Sequence, residues 1–263
     1  MESHPIQIGS LAIHWYGILV ALGFLAGLWT ASRRSPRDGI ASETILDSGP
    51  WLIIGSILGA RALYVFTFWR EEFAGQPFLN MFMVWRGGLV FYGGLIGACL
   101  ATILFARLKK IPLWKLADTL SPSIPLGYVF GRLGCLMNGC CYGRECHLPW
   151  AIRYPVGHDT HPSGLPAIPV HPTQIYDSLL SLGLYLGLAW LYRRKKFDGQ
   201  VFATYLIAYA CLRSLVELFR GDYPSNQRLL SGVVTPAHLV SVGILLAGVV
   251  LFWLLRKRRS VPA

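Results

Sequence analysis

An all-α integral membrane protein with seven transmembrane helices is the fold class this chain predicts, from three features. Of its 263 residues, 54% are hydrophobic and only 14% charged, a balance foreign to ordinary water-soluble domains. Seven apolar runs, at 11–32, 45–68, 88–106, 113–134, 173–192, 199–219 and 235–255, approach the roughly 20 residues that a bilayer core demands. Basic clusters follow the first, third, fifth and seventh runs: Arg33/Arg34/Arg37, Arg107/Lys109/Lys110, Arg193/Arg194/Lys195/Lys196 and Arg256/Lys257/Arg258/Arg259. That alternation is the positive-inside pattern, with the N-terminus outside and the C-terminus cytoplasmic. It also accounts for the net charge of +11 through anionic headgroups, so the expected partner is the lipid bilayer and no nucleic acid.

The first run follows Met1-Glu-Ser-His-Pro5, which lacks the basic start of a signal peptide, and so is retained as a span. The fourth is the weakest, carrying Lys115, Asp118, Pro122 and Pro125. A kink is expected near Ser121-Pro-Ser-Ile-Pro125, with its freed carbonyls buried in protein. The fifth opens on His171-Pro-Thr-Gln-Ile-Tyr-Asp177. There Thr173 or His171 is placed to cap the helix, Pro172 falls in its first turn, and Gln174 and Tyr176 face inward. Residues 1–263 read as a single membrane domain with two longer outward segments. One, 69–88, is an interfacial arm rich in Phe, Met and Trp. The other, 135–172, is a small irregular cap holding Cys146, His147, His158, His161 and His171. Trp69, Trp85 and Trp150 read as interfacial anchors.

Five arginines fall within or beside the outer halves of spans: Arg61, Arg86, Arg132, Arg213 and Arg220. A charge at that depth needs a partner, water or an anionic ligand. Arg213, Glu217 and Arg220 share one helix face at i, i+4 and i+7. Two readings stand open: an internal Arg213–Glu217 ion pair that holds helices together, or a cluster for a lipid phosphate, which the guanidinium fork binds in pairs. Arg86-Gly-Gly, followed by Gly93-Gly94, permits close backbone approach to an anion, although paired glycines also serve helix packing.

The densest segment is Gly131-Arg-Leu-Gly-Cys-Leu-Met-Asn-Gly-Cys-Cys-Tyr-Gly143. Disulfides such as Cys135–Cys140 or Cys141–Cys146 are the default reading for outward cysteines. A reactive thiolate favoured by Arg132 is the second reading. A metal site with His147 or His171 is the third, and its spacing is not that of the commonest zinc motifs. No metal is expected. Cys99 and Cys211 read as small packing residues.

These residues resemble the phosphatidylglycerol–prolipoprotein diacylglyceryl transferase family from roughly Ile13 to Arg220. The resemblance is carried by His14-Trp-Tyr-Gly17, Gly59-Ala-Arg-Ala-Leu-Tyr64, Arg86-Gly-Gly, Gly93-Gly-Leu-Ile-Gly97, Gly131-Arg-Leu-Gly134 with Asn138-Gly139 and Gly143, Leu148-Pro-Trp-Ala151, His171 to Asp177, and Leu212 to Arg220. It implies a multi-pass enzyme of the bacterial inner membrane with a periplasmic cap and a site open to the outer leaflet. Its substrates would be phosphatidylglycerol and a thiol-bearing lipoprotein precursor or other acceptor peptide, with no cofactor. The thiol displaces glycerol phosphate at carbon, which requires thiolate character and neutralisation of the leaving phosphate. By motif position, Arg132 and Arg213 hold the phosphate, and Tyr16, Arg61, Asn138 and Glu217 shape the site. Arg86, Gly93, Gly143, Gln174, Tyr176 and Arg220 complete the expected substrate-binding set.

Three positions depart from the family. Tyr92 stands where a histidine is usual before the paired glycines, and Cys135 and Cys140 replace an asparagine and a glutamate. A tyrosine with a pKa near 10 is a weak base at neutral pH. Tyr92 and Cys140 are nevertheless the catalytic candidates on the acceptor side, although a covalent glyceryl intermediate on Cys140 would end in a thioether hard to break. Alternatives are a divergent paralogue with a different acceptor, a lipid-binding protein without turnover, and a membrane thiol oxidoreductase using the outward cysteines.

Overall fold

The structure, a computed structural model, describes residues 6–8, 11–155, 158, 167–221 and 235–259. His161 lies outside them. Eight α-helices run in order: α1 (Trp15–Arg34), α2 (Ser42–Thr67), α3 (Phe91–Leu108), α4 (Leu113–Leu120), α5 (Ser123–Asn138), α6 (Thr173–Tyr192), α7 (Gln200–Glu217) and α8 (Pro236–Arg259). Five of them, α1, α2, α3, α6 and α8, are long and apolar enough to cross a bilayer. This is an all-α integral membrane protein. Large apolar side chains such as Leu25, Leu58, Leu100 and Leu186 point outward, while Ser35, Asp118, Thr119, Ser121, Gln174 and Glu217 are buried. The inversion suits a chain whose solvent is lipid, where helices associate through small and polar residues.

Two boundaries differ from expectation. The first run begins not as helix but as a short antiparallel pair, β1 (Ile6–Ile8) with β2 (Leu11–Ile13). Ile-Gln-Ile alternates with period two, and both triplets carry β-branched residues. The fourth run is broken at Ser121–Pro122 into α4 and α5, where the proline was expected to act. Ser121 is fully buried, so the exposed backbone is covered by protein as anticipated.

The chain forms two compact units, residues 32–116 and residues 1–31 with 117–263. In the first of these, α2 and α3 meet through Gly55-x3-Gly59 and Gly93-x3-Gly97. A Cβ on Gly59 would fall 2.8 Å from the Gly97 Cα, so only glycine permits this approach. The segment between them makes short turns at Phe78–Phe82 and Val84–Arg86. It exposes Phe78, Leu79, Phe82 and Trp85. In the other unit, α1 and α5 touch where the Ser123 hydroxyl donates to the Gly27 carbonyl at 2.6 Å. Asp118 is buried at the start of α7. It accepts from the amides of Gly199 and Phe202 at 2.8 and 3.0 Å and pairs with Lys195 Nζ at 3.0 Å. A carboxylate thus satisfies donors that a helix start leaves free.

Candidate functional site

The arginine cluster of the larger unit is built on α5, α6 and α7. Arg132, six residues before the end of α5 and 8% exposed, donates from Nε to the Tyr128 hydroxyl at 2.8 Å. Its Nη2 lies 2.8 Å from Asp177 Oδ2 on α6. On α7, Arg213 Nη1 is 2.6 Å from Glu217 Oε2, the ion pair that the i, i+4 spacing allowed. Glu217 Oε1 accepts from the Thr235 hydroxyl at 2.7 Å. Asp177 feels the charges of Arg132, Arg213 and Arg220 together. The arginines therefore converge, as expected, but around two acids rather than one. Asp177, the partner of Arg132, is the acid that sequence reasoning did not single out. Its position one turn into the fifth span was the available signal.

Arg132 faces Asp177 and Arg213 faces Glu217, with Arg220 close enough for its charge to act on Asp177. Their donors exceed what four carboxylate oxygens can accept, since each guanidinium carries five N–H groups. The contacts are close without being aligned: Asp177 Oδ2, Arg213 Nη1 and Glu217 Oε2 are buried and lack a hydrogen-bond partner among the described residues. The same holds for Gln174 Oε1. Ion pairs of this kind are costly in a low-dielectric interior unless further hydrogen bonds complete them.

Beside the arginines the end of α5 turns back on itself. Gly139 adopts φ +73° and its amide donates to the Leu136 carbonyl, while the Cys140 amide donates to the Cys135 carbonyl at 3.1 Å. This is the glycine-terminated double hydrogen bond that brings the third-last helical residue against the second residue beyond the helix. Here those residues are Cys135 and Cys140. Cys141 follows at φ +63°, unusual for a side-chain-bearing residue. As a result Cys135, Cys140 and Cys141 place their sulfurs within 4.8 Å of one another. All are half-buried free thiols, and so is buried Cys146. The Asn138 side chain reaches Cys140. Hydrogen bonds from Cys135 and Cys140, then the charges of Arg220 and Arg132, lower the Cys141 pKa well below an ordinary thiol's. Cys140 itself is raised. Cys140, the thiol that the sequence singled out, donates from Sγ to the Cys135 carbonyl at 3.8 Å.

The neighbouring loop is held by backbone. Gly143 bridges to Arg220, and its amide donates to the His171 carbonyl at 2.9 Å. A Cβ there would meet the His171 and Phe219 carbonyl oxygens at 2.7 and 2.8 Å, so Gly143 serves close approach. Thr173 does not cap α6. Its hydroxyl donates to the Cys141 carbonyl at 2.7 Å, and Pro172 flanks the helix with no side-chain cap. Fully buried Gln174 donates from Nε2 to the Cys140 carbonyl and the Tyr154 hydroxyl at 2.7 and 2.9 Å. The Tyr176 hydroxyl accepts from Trp150 Nε1 at 2.7 Å, which gives Trp150 a role beyond anchoring. Half-exposed Tyr16 packs its ring where a Cβ on Gly134 would stand 2.9 Å away.

The remaining candidates belong to the smaller unit. Arg61 donates to four backbone carbonyls: Met81 (2.7 Å), Gly87 (2.8 Å), Gly88 (3.2 Å) and Asn80 (2.7 Å). Its guanidinium ties down the arm. Gly93 is buried against Gly59 and Leu63, where it serves helix packing. Tyr92 is 59% exposed and meets Phe91 edge-on. Arg86 is exposed at the last turn of the arm.

A cleft of about 710 Å³ lies elsewhere, at the opposite end of α7 from Arg213, lined by Lys196, Phe197, Gln200, Phe252, Trp253, Arg256 and Lys257. Its basic and aromatic lining suits an anionic headgroup, but none of the candidate chemistry is there.

The family description "Prolipoprotein diacylglyceryl transferase" matches residues 4–254. Among individual proteins, a phosphatidylglycerol–prolipoprotein diacylglyceryl transferase of Synechococcus elongatus is 36% identical, over 98% of this chain and 89% of its own length. The protein of that name from Geobacter sulfurreducens is 36% identical over 97% and 96%, and that from Gloeobacter violaceus 35% over 98% and 95%. With the arginine cluster in place and the likeness running nearly end to end, the chain belongs to the prolipoprotein diacylglyceryl transferase family.

Proposed function

We propose that this protein is a diacylglyceryl transferase that moves the diacylglyceryl group of phosphatidylglycerol onto a cysteine thiol of a lipoprotein precursor, releasing glycerol phosphate. The observation that carries the reading is the paired arrangement Arg132–Asp177 and Arg213–Glu217, with the charge of Arg220 acting on Asp177, in a chain whose relatives bear that name. Surplus guanidinium donors suit a phosphate that gains negative charge as its ester bond breaks. Arg132 and Arg213 take the role of stabilising that leaving group. Arg220, Asn138, Gly143, Gln174, Tyr176, Tyr16 and Glu217 shape the surroundings, and Asp177 positions Arg132.

The protein is read as a seven-span enzyme of the bacterial inner membrane, its N-terminus outside and its C-terminus cytoplasmic. On this reading α4 and α5 together, and α7 despite Arg213 and Glu217, are the two spans beyond the five longest apolar helices. Residues 69–88 form an interfacial arm, with Arg86 at headgroup level, and 135–172 a periplasmic cap. Because cysteines replace two residues usual in the family, an acceptor other than the ordinary precursor is the second reading. Incubation of the purified protein with labelled phosphatidylglycerol and a precursor peptide tests the first. A thioether-linked diacylglyceryl peptide seen by mass spectrometry supports it, and lipid turnover onto another acceptor supports the second.

A further inference from the structure

We propose that Cys135, Cys140 and Cys141 form a three-thiolate site for a zinc-class cation, whose fourth ligand is the acceptor thiol. The metal-binding half stands on geometry alone, and the acceptor's place on the metal rests on the transferase reading.

The backbone assembles the site before any metal arrives. The double hydrogen bond around Gly139 sets Cys135 against Cys140, and the left-handed conformation of Cys141 turns the next side chain to the same place. The Thr173 hydroxyl and Gln174 Nε2 hold the carbonyls of Cys141 and Cys140 from outside. The three sulfurs lie within 4.8 Å of one another. Sulfurs around a tetrahedral zinc with bonds of about 2.3 Å stand roughly 3.8 Å apart, so closure needs at most about one ångström of side-chain rotation. Cys135 and Cys140 are separated by four residues, a spacing within the range zinc ligands use. Soft sulfur donors favour zinc over magnesium or calcium.

Three protein ligands leave a tetrahedral ion one position, the arrangement of reactive rather than purely structural zinc. Zinc with three thiolates carries one net negative charge, and Arg132 lies three residues before Cys135 on the same helix. The surplus N–H donors stay available to a phosphate. The acceptor R–SH binds at the fourth position and releases its proton to water, because a metal-bound thiol is deprotonated. Its sulfur then attacks the diacylglyceryl CH2 carbon. The C–S bond forms as the C–O bond to phosphate breaks, and that electron pair departs with glycerol phosphate. The three protein thiolates are not consumed.

The test uses full-length protein purified in detergent from zinc-supplemented cells without chelators. Elemental mass spectrometry should find roughly one zinc per chain. Cys135→Ser, Cys140→Ser and Cys141→Ser should each weaken binding by roughly 10-fold or more, while Cys99→Ser, on α3, retains the metal. Cobalt titrated into stripped wild-type protein should give sulfur-to-cobalt charge-transfer absorption, a readout that does not depend on how the variants fold. Stripping should lower peptide diacylglyceryl transfer by roughly 10-fold or more, and zinc should restore it. Absence of zinc and of the cobalt band overturns the site, and continued transfer in that protein leaves the transferase reading standing. Bound zinc whose removal leaves transfer unchanged overturns the acceptor's place on the metal. Bound zinc without any transfer overturns the transferase reading, and with it the metal's catalytic role.

Discussion

Arg132 Nη2 and Asp177 Oδ2 stand 2.8 Å apart, both side chains almost wholly buried between α5 and α6. Removing one member of a buried pair strands the other, at a cost of about 3–5 kcal/mol. Asp177→Ala is therefore expected to lower thermal stability in detergent by that order, with loss of transfer. Arg132→Lys keeps the charge but loses the planar fork that holds both Tyr128 and Asp177. It should reduce transfer by roughly 10-fold or more, through the lost charged hydrogen bond to Tyr128 of about 1.5–3 kcal/mol, with most of the stability retained.

The arm should depend on Arg61. Its guanidinium supplies hydrogen bonds to four carbonyls between Asn80 and Gly88. Arg61→Leu leaves those carbonyls without their donor, so limited proteolysis within 69–88 should speed up markedly. Unchanged cleavage would mean that the arm is held by something else.

Helix packing in the smaller unit makes a separate prediction. Gly59→Val inserts atoms where the Gly93 carbonyl and the Gly97 Cα already sit. Overpacking of this kind costs about 1–3 kcal/mol, and a lower melting temperature in detergent should report it. Gly17→Val on α1, where nothing lies within 4 Å, should leave stability nearly unchanged.

Thiol reactivity follows from the lowered pKa of Cys141 and the raised pKa of Cys140. In protein stripped of metal, iodoacetamide should label Cys141 before Cys140, still rapidly at a pH well below the ordinary thiol value of about 8.5. For an acid whose folded pKa is depressed, the linked stability is present above the unfolded pKa. It is lost as pH falls through the folded value. Acidification should accordingly weaken the end of α5 and slow the labelling together, which peptide mapping after a pH series would show.

Some of this was legible in the chain and some was not, for physical reasons. Arg213 and Glu217 were readable because helical periodicity fixes their separation, and Pro122 broke the fourth run because it lacks an amide hydrogen. Asp177 was not assigned, since its partnership with Arg132 depends on how α5 and α6 pack. The partners of Arg61 could not be read, because backbone carbonyls carry no residue-type signal. The thiol cluster was only half readable. Glycine at 139 marks a helix end, but the fold-back of Cys140 onto Cys135 and the left-handed Cys141 emerge only in three dimensions.

The most direct measurement is glycerol phosphate release from labelled phosphatidylglycerol, with a cysteine-bearing precursor peptide, by wild type, Arg132→Gln and Arg213→Gln. Wild type should release it in step with thioether product, and each variant should fall by roughly 100-fold or more, as when a preorganised charge stabiliser is removed. Release by both variants at the wild-type rate would contradict a phosphate held by the guanidinium cluster.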